Sequence, residues 1–184
     1  MLKDFDLTII DSKCASIGFG LVVMYAGIMC QANVSKSEII KAINYHCSHM
    51  NHVFTVDTLE YLLRGGRISR TSAIAGEILD IHPIIVVDEK GSLKAIEKVR
   101  GRNKSIIRLV EYVGEHGTEL SNQVVGIVHG DDEKMILKVK KLLEEKYKIT
   151  HMVENYVGCA IGAHTGPGII GITFLDEPSP YITF

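Results

Sequence analysis

Ile161-Gly-Ala-His-Thr-Gly-Pro-Gly168 sets an imidazole, a hydroxyl and three helix-breaking residues side by side near the C-terminus. Gly166 and Gly168 tolerate positive φ, and Pro167 fixes its own φ and carries no N–H. The stretch therefore predicts a rigid turn with free backbone N–H groups, holding His164 and Thr165 toward an anion. On one side lies the apolar run Tyr156-Val-Gly-Cys-Ala-Ile161, and on the other Ile169-Ile-Gly-Ile-Thr-Phe174, which reads as a buried strand. A polar pair between two apolar segments points to a site that is dry on most sides. The competing reading is an ordinary Gly-Pro turn with a hydrogen-bonded histidine.

The other strands and helices follow from periodicity and caps. Asp6-Leu-Thr-Ile-Ile-Asp11 reads as a buried strand, and Ser16 as the N-cap of an apolar helix to about Gln31. Ser35-Lys-Ser-Glu38 is a capping box for a helix to about His49. Val53–Val56 is a brief strand, and Asp57-Thr-Leu-Glu60 opens a short helix stopped by Gly65-Gly66. Ser69 or Thr71 caps a helix over Ala73–Leu79. Ile81–Val87 is a strand, with Pro83 marking an edge or a strand start, and Ser92–Arg100 pairs back on it as a hairpin. An amphipathic helix from Asn103, a strand over Gln123–His129, a helix capped by Asp131 or Asp132 and an alternating strand over Ile149–Val157 complete the chain. The first part, to a boundary near Asn51-His52, reads as strand–helix–helix, and the remainder mixes helices with hairpin-like strands and looks α+β.

The 184 residues suffice for a core without disulfides or metals. A net charge of −2 carries no bulk signal for nucleic acid or an anionic membrane. Cys14, Cys30, Cys47 and Cys159 show no C-x-x-C spacing, which argues against zinc and for a reducing cytoplasm. The uncharged run Ile17–Cys30 is shorter than the roughly 20 residues a bilayer requires, so no membrane insertion is expected.

Each candidate chemistry has a plainer alternative. Gly18-Phe-Gly20 lies between strand and helix as a nucleotide loop would, but Val23 stands where the third glycine belongs, and close packing explains the pair better. His46, Cys47, His49 and His52 cluster without a second ligand group or a carboxylate, so no metal is expected. Arg67 follows a flexible turn and Arg100 ends a strand; either suits a carboxylate, a phosphate or a partner, or is solvated charge. No catalytic triad, P-loop or paired carboxylates stand out.

Taken together, Asp11-Ser-Lys-x-x-Ser16-x-Gly18-x-Gly20, Phe54-x-Val-Asp57-x-Leu59-x-Tyr61-Leu62, Arg64-Gly-Gly-Arg-Ile68, Leu79-x-Ile81-x-Pro83-Ile84, Lys98-Val-Arg100 and Gly162-x-His164-Thr-Gly-Pro-Gly168 resemble the DegV family of bacterial fatty-acid-binding proteins. The resemblance implies an α/β fold in which residues 1–52 are the C-terminal part of a Rossmann-like first domain and 53–184 an α/β sandwich domain with a largely antiparallel sheet. It implies a two-domain carrier, not an enzyme, that buries a long-chain fatty acid such as palmitate and needs no cofactor. It implies that His164, with Thr165 and Gly166, belongs to the carboxylate network, and it makes Arg67 and Arg100 candidates for the portal or for docking a fatty acid kinase. That kinase phosphorylates the presented carboxylate to an acyl phosphate. Ile68, Leu79, Ile81 and Ile84 are expected near the acyl chain, with further apolar lining from the 17–30 helix and the 73–81 and 157–161 segments. Family members carry roughly a hundred further N-terminal residues, including a Thr-Ser-x-Pro-Ser type loop for the carboxylate. Nothing similar precedes Asp11, so the chain resembles the C-terminal two-thirds of such a protein, with self-association expected through exposed first-domain surface. The rival readings are a ligand-free truncated module and a nucleotide-dependent small-molecule enzyme.

Overall fold

The computed structural model describes residues 6–69 and 80–182. Their frame is one six-stranded sheet in the order β3-β2-β1-β6-β4-β5. The strands are β1 (Met50–Thr55), β2 (Ile81–Val87), β3 (Leu93–Arg100), β4 (Val125–His129), β5 (Met152–Tyr156) and β6 (Ile170–Leu175). Four of the five pairings are antiparallel; β4–β5 is parallel and is bridged by a helix, as a parallel connection requires.

Strand alternation divides the apolar residues between two faces. Val53, Ile84, Ile127, Ile170, Ile172 and Phe174 belong to a core completed by helices α4 (Arg102–His116) and α5 (Glu133–Tyr147). From these come Ile106, Leu109 and Val113, and Ile136, Val139 and Leu143. The opposite face is covered by α1 (Ser16–Gln31), α3 (Glu60–Arg64) and α6 (Cys159–Thr165), with α2 (Lys36–His49) packed on α1. There Leu21, Val22 and Tyr25 cluster with Met50 and Leu175, while Leu62 and Ile68 cluster with Phe54, Ile85 and Ile169.

Several expected signals act as read. Ser35 Oγ accepts from the Glu38 N–H at 3.3 Å, and Asp132 Oδ1 from the Met135 N–H at 3.2 Å, each satisfying a donor that the first helical turn leaves open. Asp88 Oδ1 accepts from the N–H groups of Lys90 and Ser92, both at 2.9 Å, and shapes the β2–β3 turn. Pro83 marks a strand start, not an edge: β2 lies between β3 and β1, and its pairing to β1 begins only at Ile84.

Other expectations are corrected. Residues 6–11 form no strand; Leu7 and Ile9 are exposed, and Lys36 Nζ holds the Asp6 carbonyl at 2.6 Å and its carboxylate at 2.7 Å. The segment lies beside α2, and no sheet edge supplies its backbone with partners. Ser16 makes no capping bond; Ala15 is the N-cap of α1. Asn103 is inside α4, whose N-cap is Gly101 at φ 95°. The boundary placed at residue 52 falls inside β1. The helix expected over 73–79 lies outside the described residues.

Ile127 is fully buried at the middle of β4. Ile127→Ala is expected to lower unfolding free energy by about 2–5 kcal/mol, read as a lower urea midpoint at unchanged slope.

Candidate functional site

The Ile161–Gly168 stretch divides into a short helix and a turn. Residues 159–165 are helical, and the Gly166-Pro167-Gly168 turn follows, with φ of 73° at Gly166 and 78° at Gly168. Its N–H groups are used, which corrects the expected free donors. Gly166 N–H donates to the Gly162 carbonyl at 2.8 Å, and Gly168 N–H to the Gly130 carbonyl at 3.2 Å. The Gly168 carbonyl accepts from Arg102, which also pairs with Asp57 at 3.3 Å and Asp132 at 3.2 Å. The turn is thereby fastened to the ends of β1 and β4 and to the starts of α4 and α5.

Two glycine contacts lock α6 against α3. A Cβ on Gly65 would stand 2.0 Å from His164 Nδ1, and one on Gly166 would stand 2.4 Å from Cδ2 of the Tyr61 ring. Gly65 therefore lets the α3 C-terminus lie against the imidazole. Arg67 follows directly and donates from Nη1 to the Gly65 carbonyl at 2.7 Å. The chain thus brings Arg67 and His164 to one place from positions almost a hundred residues apart.

Between α1, α3 and α6 the sheet leaves a cavity of about 350 Å³, within the usual range for small-molecule sites. His52 and Phe54 of β1, Val128 of β4, and Gly171 and Thr173 of β6 line its sheet side. Gly171 is required there, since a Cβ would meet Val128 Cγ1 at 2.9 Å. Leu62, Leu93, Ala160 and Ile161 add apolar wall. Arg67, just beyond α3, and His164 and Thr165 of α6 supply polar groups, and Ser16 supplies one from α1. Thr165 Oγ1 donates to the Ile161 carbonyl at 3.2 Å, and His164 has no hydrogen-bond partner among the described residues.

The remaining predicted residues are placed elsewhere. Gly166 forms the turn against Tyr61 and does not line the cavity. Ile68 is buried behind the wall with Leu62 and Phe54. Ile84 points to the opposite sheet face, into the core under α4, because it is one residue out of phase with Ile85. Ile81 starts β2 opposite Arg100, an exposed residue at the far end of β3 from Leu93, and neither lines the cavity. Leu79 lies outside the described residues. Of the 17–30 helix, Ile17, Gly20, Leu21 and Met24 line a neighbouring groove that shares Val128 and Ile161 with the cavity.

The histidines weighed as a metal cluster have separate roles. Nε2 of His46 bonds Ser179 Oγ at 2.8 Å, and Nδ1 of His49 meets the Asp176 carboxylate at 2.7 Å. His52 is the cavity residue that sequence reasoning missed. Its Nε2 accepts from the Ala15 N–H at 3.3 Å, and a Cβ on Gly18 would stand 2.2 Å from it. Gly18 is thus a packing glycine, as expected, whereas Gly20 has open space and no such reason. Burial pushes His52 down to about 4, against a hydrogen bond with the Met50 backbone. Burial, with His49 nearby, likewise pushes His46 down to about 4.

The profile of the DegV family matches residues 1–177. A DegV domain-containing protein of Caldanaerobacter subterraneus is 35% identical over 171 residues, covering 93% of this chain and 61% of that protein. The structure of DegV, a fatty acid binding protein from Bacillus subtilis, superposes with a TM-score of 0.78 at 28% identity, covering 94% of this chain and 61% of that one. The Streptococcus pneumoniae fatty acid kinase B3 protein loaded with linoleic acid superposes with a TM-score of 0.86 at 18% identity, over 95% of this chain and 61% of that one, and shows a shared fold. The chain belongs to the DegV family and spans about three-fifths of the length of these relatives. No described helix is long and apolar enough to cross a membrane.

His46 and His52 fix the direction of a pH effect. Both have folded values near 4 and unfolded values near 6.5, so between those limits the unfolded chain binds more protons. Stability is therefore expected to be complete above pH 6.5 and to fall as pH drops toward 4, by up to about 1.4 kcal/mol per pH unit for each histidine. Urea titrations across this window check it, and His52→Gln should flatten the dependence.

Proposed function

We propose that this chain forms the fatty-acid-binding surface of a DegV-type carrier. The acyl chain lies over the sheet between α1, α3 and α6, and the carboxylate meets His164 and Arg67, with Thr165 beside them. The observation that carries this reading is the meeting of Arg67 and His164 at the α3–α6 contact, beside an otherwise largely apolar cavity. A long acyl chain gains about 0.8 kcal/mol per methylene on leaving water, so apolar walls supply the affinity. The head group then needs only a few donors, and guanidinium and imidazole both suit a carboxylate. That the Bacillus subtilis neighbour is a fatty acid binding protein supports the ligand class.

In the same reading the protein is a carrier without catalysis of its own. It presents the carboxylate to a fatty acid kinase, which makes the acyl phosphate. Arg100, exposed at the end of β3, is a docking residue for that partner and leaves the ligand untouched.

Organic extraction of purified protein, followed by lipid mass spectrometry and palmitate titration, tests the binding. Wild type should yield a long-chain fatty acid. His164→Ala should raise the palmitate Kd about tenfold, the equivalent of 1.4 kcal/mol. Ala160→Trp, at an exposed lining position, should raise it at least as far. Absence of lipid and of titratable binding in wild type would refute the reading. Arg100→Glu should leave Kd unchanged and slow acyl-phosphate formation when kinase and ATP are added.

In the same reading the chain self-associates through the outer side of α1. Phe19 and Val23 are 52% and 54% exposed on a helix without a charged residue, and apolar surface of this kind marks an interface. Sedimentation of wild type should show concentration-dependent association, and Val23→Lys should abolish it.

A further inference from the structure

His164 is the imidazole that meets a carboxylate in the reading above, yet no described residue hydrogen-bonds its ring. Its position therefore comes from the backbone that carries it and from the groups packed against it. α6 cannot supply this alone. It has seven residues and no side-chain bond at its N-cap, and so short a helix has little stability of its own. It is fixed from outside. On one side the Gly65 backbone lies against the ring, where a Cβ would stand 2.0 Å from Nδ1. On the other the chain leaves through Gly166-Pro167-Gly168, and Arg102 holds the Gly168 carbonyl.

Arg102 is the first residue of α4, and its side chain is largely buried. Nη2 donates to the Gly168 carbonyl and to Asp132 Oδ2, the latter at 3.2 Å, while Nη1 stands 3.3 Å from Asp57 Oδ1. Asp132 is itself held, since its Oδ1 caps α5 through the Met135 N–H. Asp57 follows β1. Its Oδ2 lies where a Cβ on Gly168 would come within 2.1 Å, and its Oδ1 faces His82 Nδ1 at 3.6 Å. The two carboxylates orient the planar guanidinium, and the guanidinium orients the carbonyl. The result is a clasp on the turn that follows His164, built from residues that do not line the cavity.

Such a clasp acts differently on the two ends of an amphiphile. Burial of an acyl chain is non-directional and tolerates a displaced wall. A hydrogen bond to a carboxylate weakens steeply with distance and angle. A small displacement of the turn therefore costs head-group recognition and leaves the contribution of the chain in place.

We propose that Arg102 and Asp57 are positioning residues for carboxylate recognition, acting on His164 through the Gly168 carbonyl. This rests on the fatty-acid reading of the cavity.

The test compares palmitate with hexadecanol, which has the same chain length and an uncharged head. Arg102→Lys keeps the charge and loses the planar fork; Asp57→Asn keeps the shape beside Gly168 and loses the charge. Each should raise the palmitate Kd about fivefold and change the hexadecanol Kd by less than about twofold. In a His164→Ala background, Arg102→Lys should add less than about twofold to the palmitate Kd, because a residue acting through His164 has nothing left to act on. Equal losses for both ligands, or the same loss repeated without His164, would overturn the proposal. If Arg102→Lys does not fold, Asp57→Asn, at a half-exposed side chain, decides by the same criteria. The imidazole carbon-bound proton resonance of His164 gives a readout without ligand: it should shift in the folded variants, and an unmoved resonance overturns the clasp. Wild type that binds both ligands equally also overturns the proposal, since there is then no carboxylate recognition to position. Wild type that binds neither refutes the fatty-acid reading, and the His164 resonance then decides whether the clasp sets the imidazole.

Discussion

Strand β6 is hydrogen-bonded along both edges and covered on both faces, and everything that shapes the cavity is referred to it. All six of its residues are buried. β1 pairs with it from Met50–Leu175 to Thr55–Ile170, and β4 from Gly126–Thr173 to His129–Ile170. Beyond the end of β4, the buried Gln123 amide continues the ladder: its Oε1 accepts from Leu175 N–H and its Nε2 donates to the Leu175 carbonyl, both at 2.9 Å. No buried backbone group of that strand end is left to be desolvated without a partner. With both edges used, β6 must satisfy two packing layers by alternation. It places Ile170, Ile172 and Phe174 under α4 and α5, and Gly171 and Thr173 under the opposite helices. The small residues of the second set are why the cavity lies on that face.

The same strand begins immediately after the Gly166-Pro167-Gly168 turn, so the position of His164 follows from β6. Arg102 makes this connection stiff. It is mostly buried, and it holds the Gly168 carbonyl together with Asp57 and Asp132. A buried guanidinium is costly unless its hydrogen bonds are supplied, and removing one partner of such a set is more damaging than never having built it. Asp57 also packs against Gly168, where a Cβ would stand 2.1 Å from its carboxylate oxygen, and φ is positive at the same glycine. The turn thus has one arrangement available, and the short α6, seven residues long, inherits it.

Much of this was legible, and what was not has definable causes. Ser35 and Asp132 could be read as caps because a cap depends on a donor three residues away. The same argument failed at Ser16, because Ala15 takes the N-cap position and Ser16, one residue further on, has a φ of 50° and makes no capping bond. Asp6–Asp11 has the composition of a strand, but a strand also needs a neighbour, and composition is silent on neighbours. In Ile84-Ile85-Val86-Val87 every residue is apolar, so the period-2 signal that would say which side faces the cavity is absent. That Ile84 packs into the core under α4 and not beside the cavity is therefore not readable from its neighbours in sequence. Gly162 and the glycine-proline turn hid the short helix carrying His164, since both argue locally against helix. His52 was visible only as one of several histidines; that Ala15 and Gly18 would close on its ring is a tertiary fact.

The neutrality of His52 bears on how an amphiphile would orient in the cavity. A cavity with a cation at each end would bind a carboxylate in either direction, and a carrier needs one. Here Arg67 is the permanent cation among the described lining residues, and it lies with His164 at the α3–α6 contact. His52, on β1 beneath Gly18, is held near a pKa of 4 by burial, and its Nε2 lone pair is already occupied by the Ala15 N–H. At neutral pH it therefore offers neither charge nor a free acceptor, and it behaves toward a ligand as an aromatic surface. In the proposed reading, the burial that makes His52 an acid-labile point of the fold also leaves Arg67 and His164 as the groups that a carboxylate would meet.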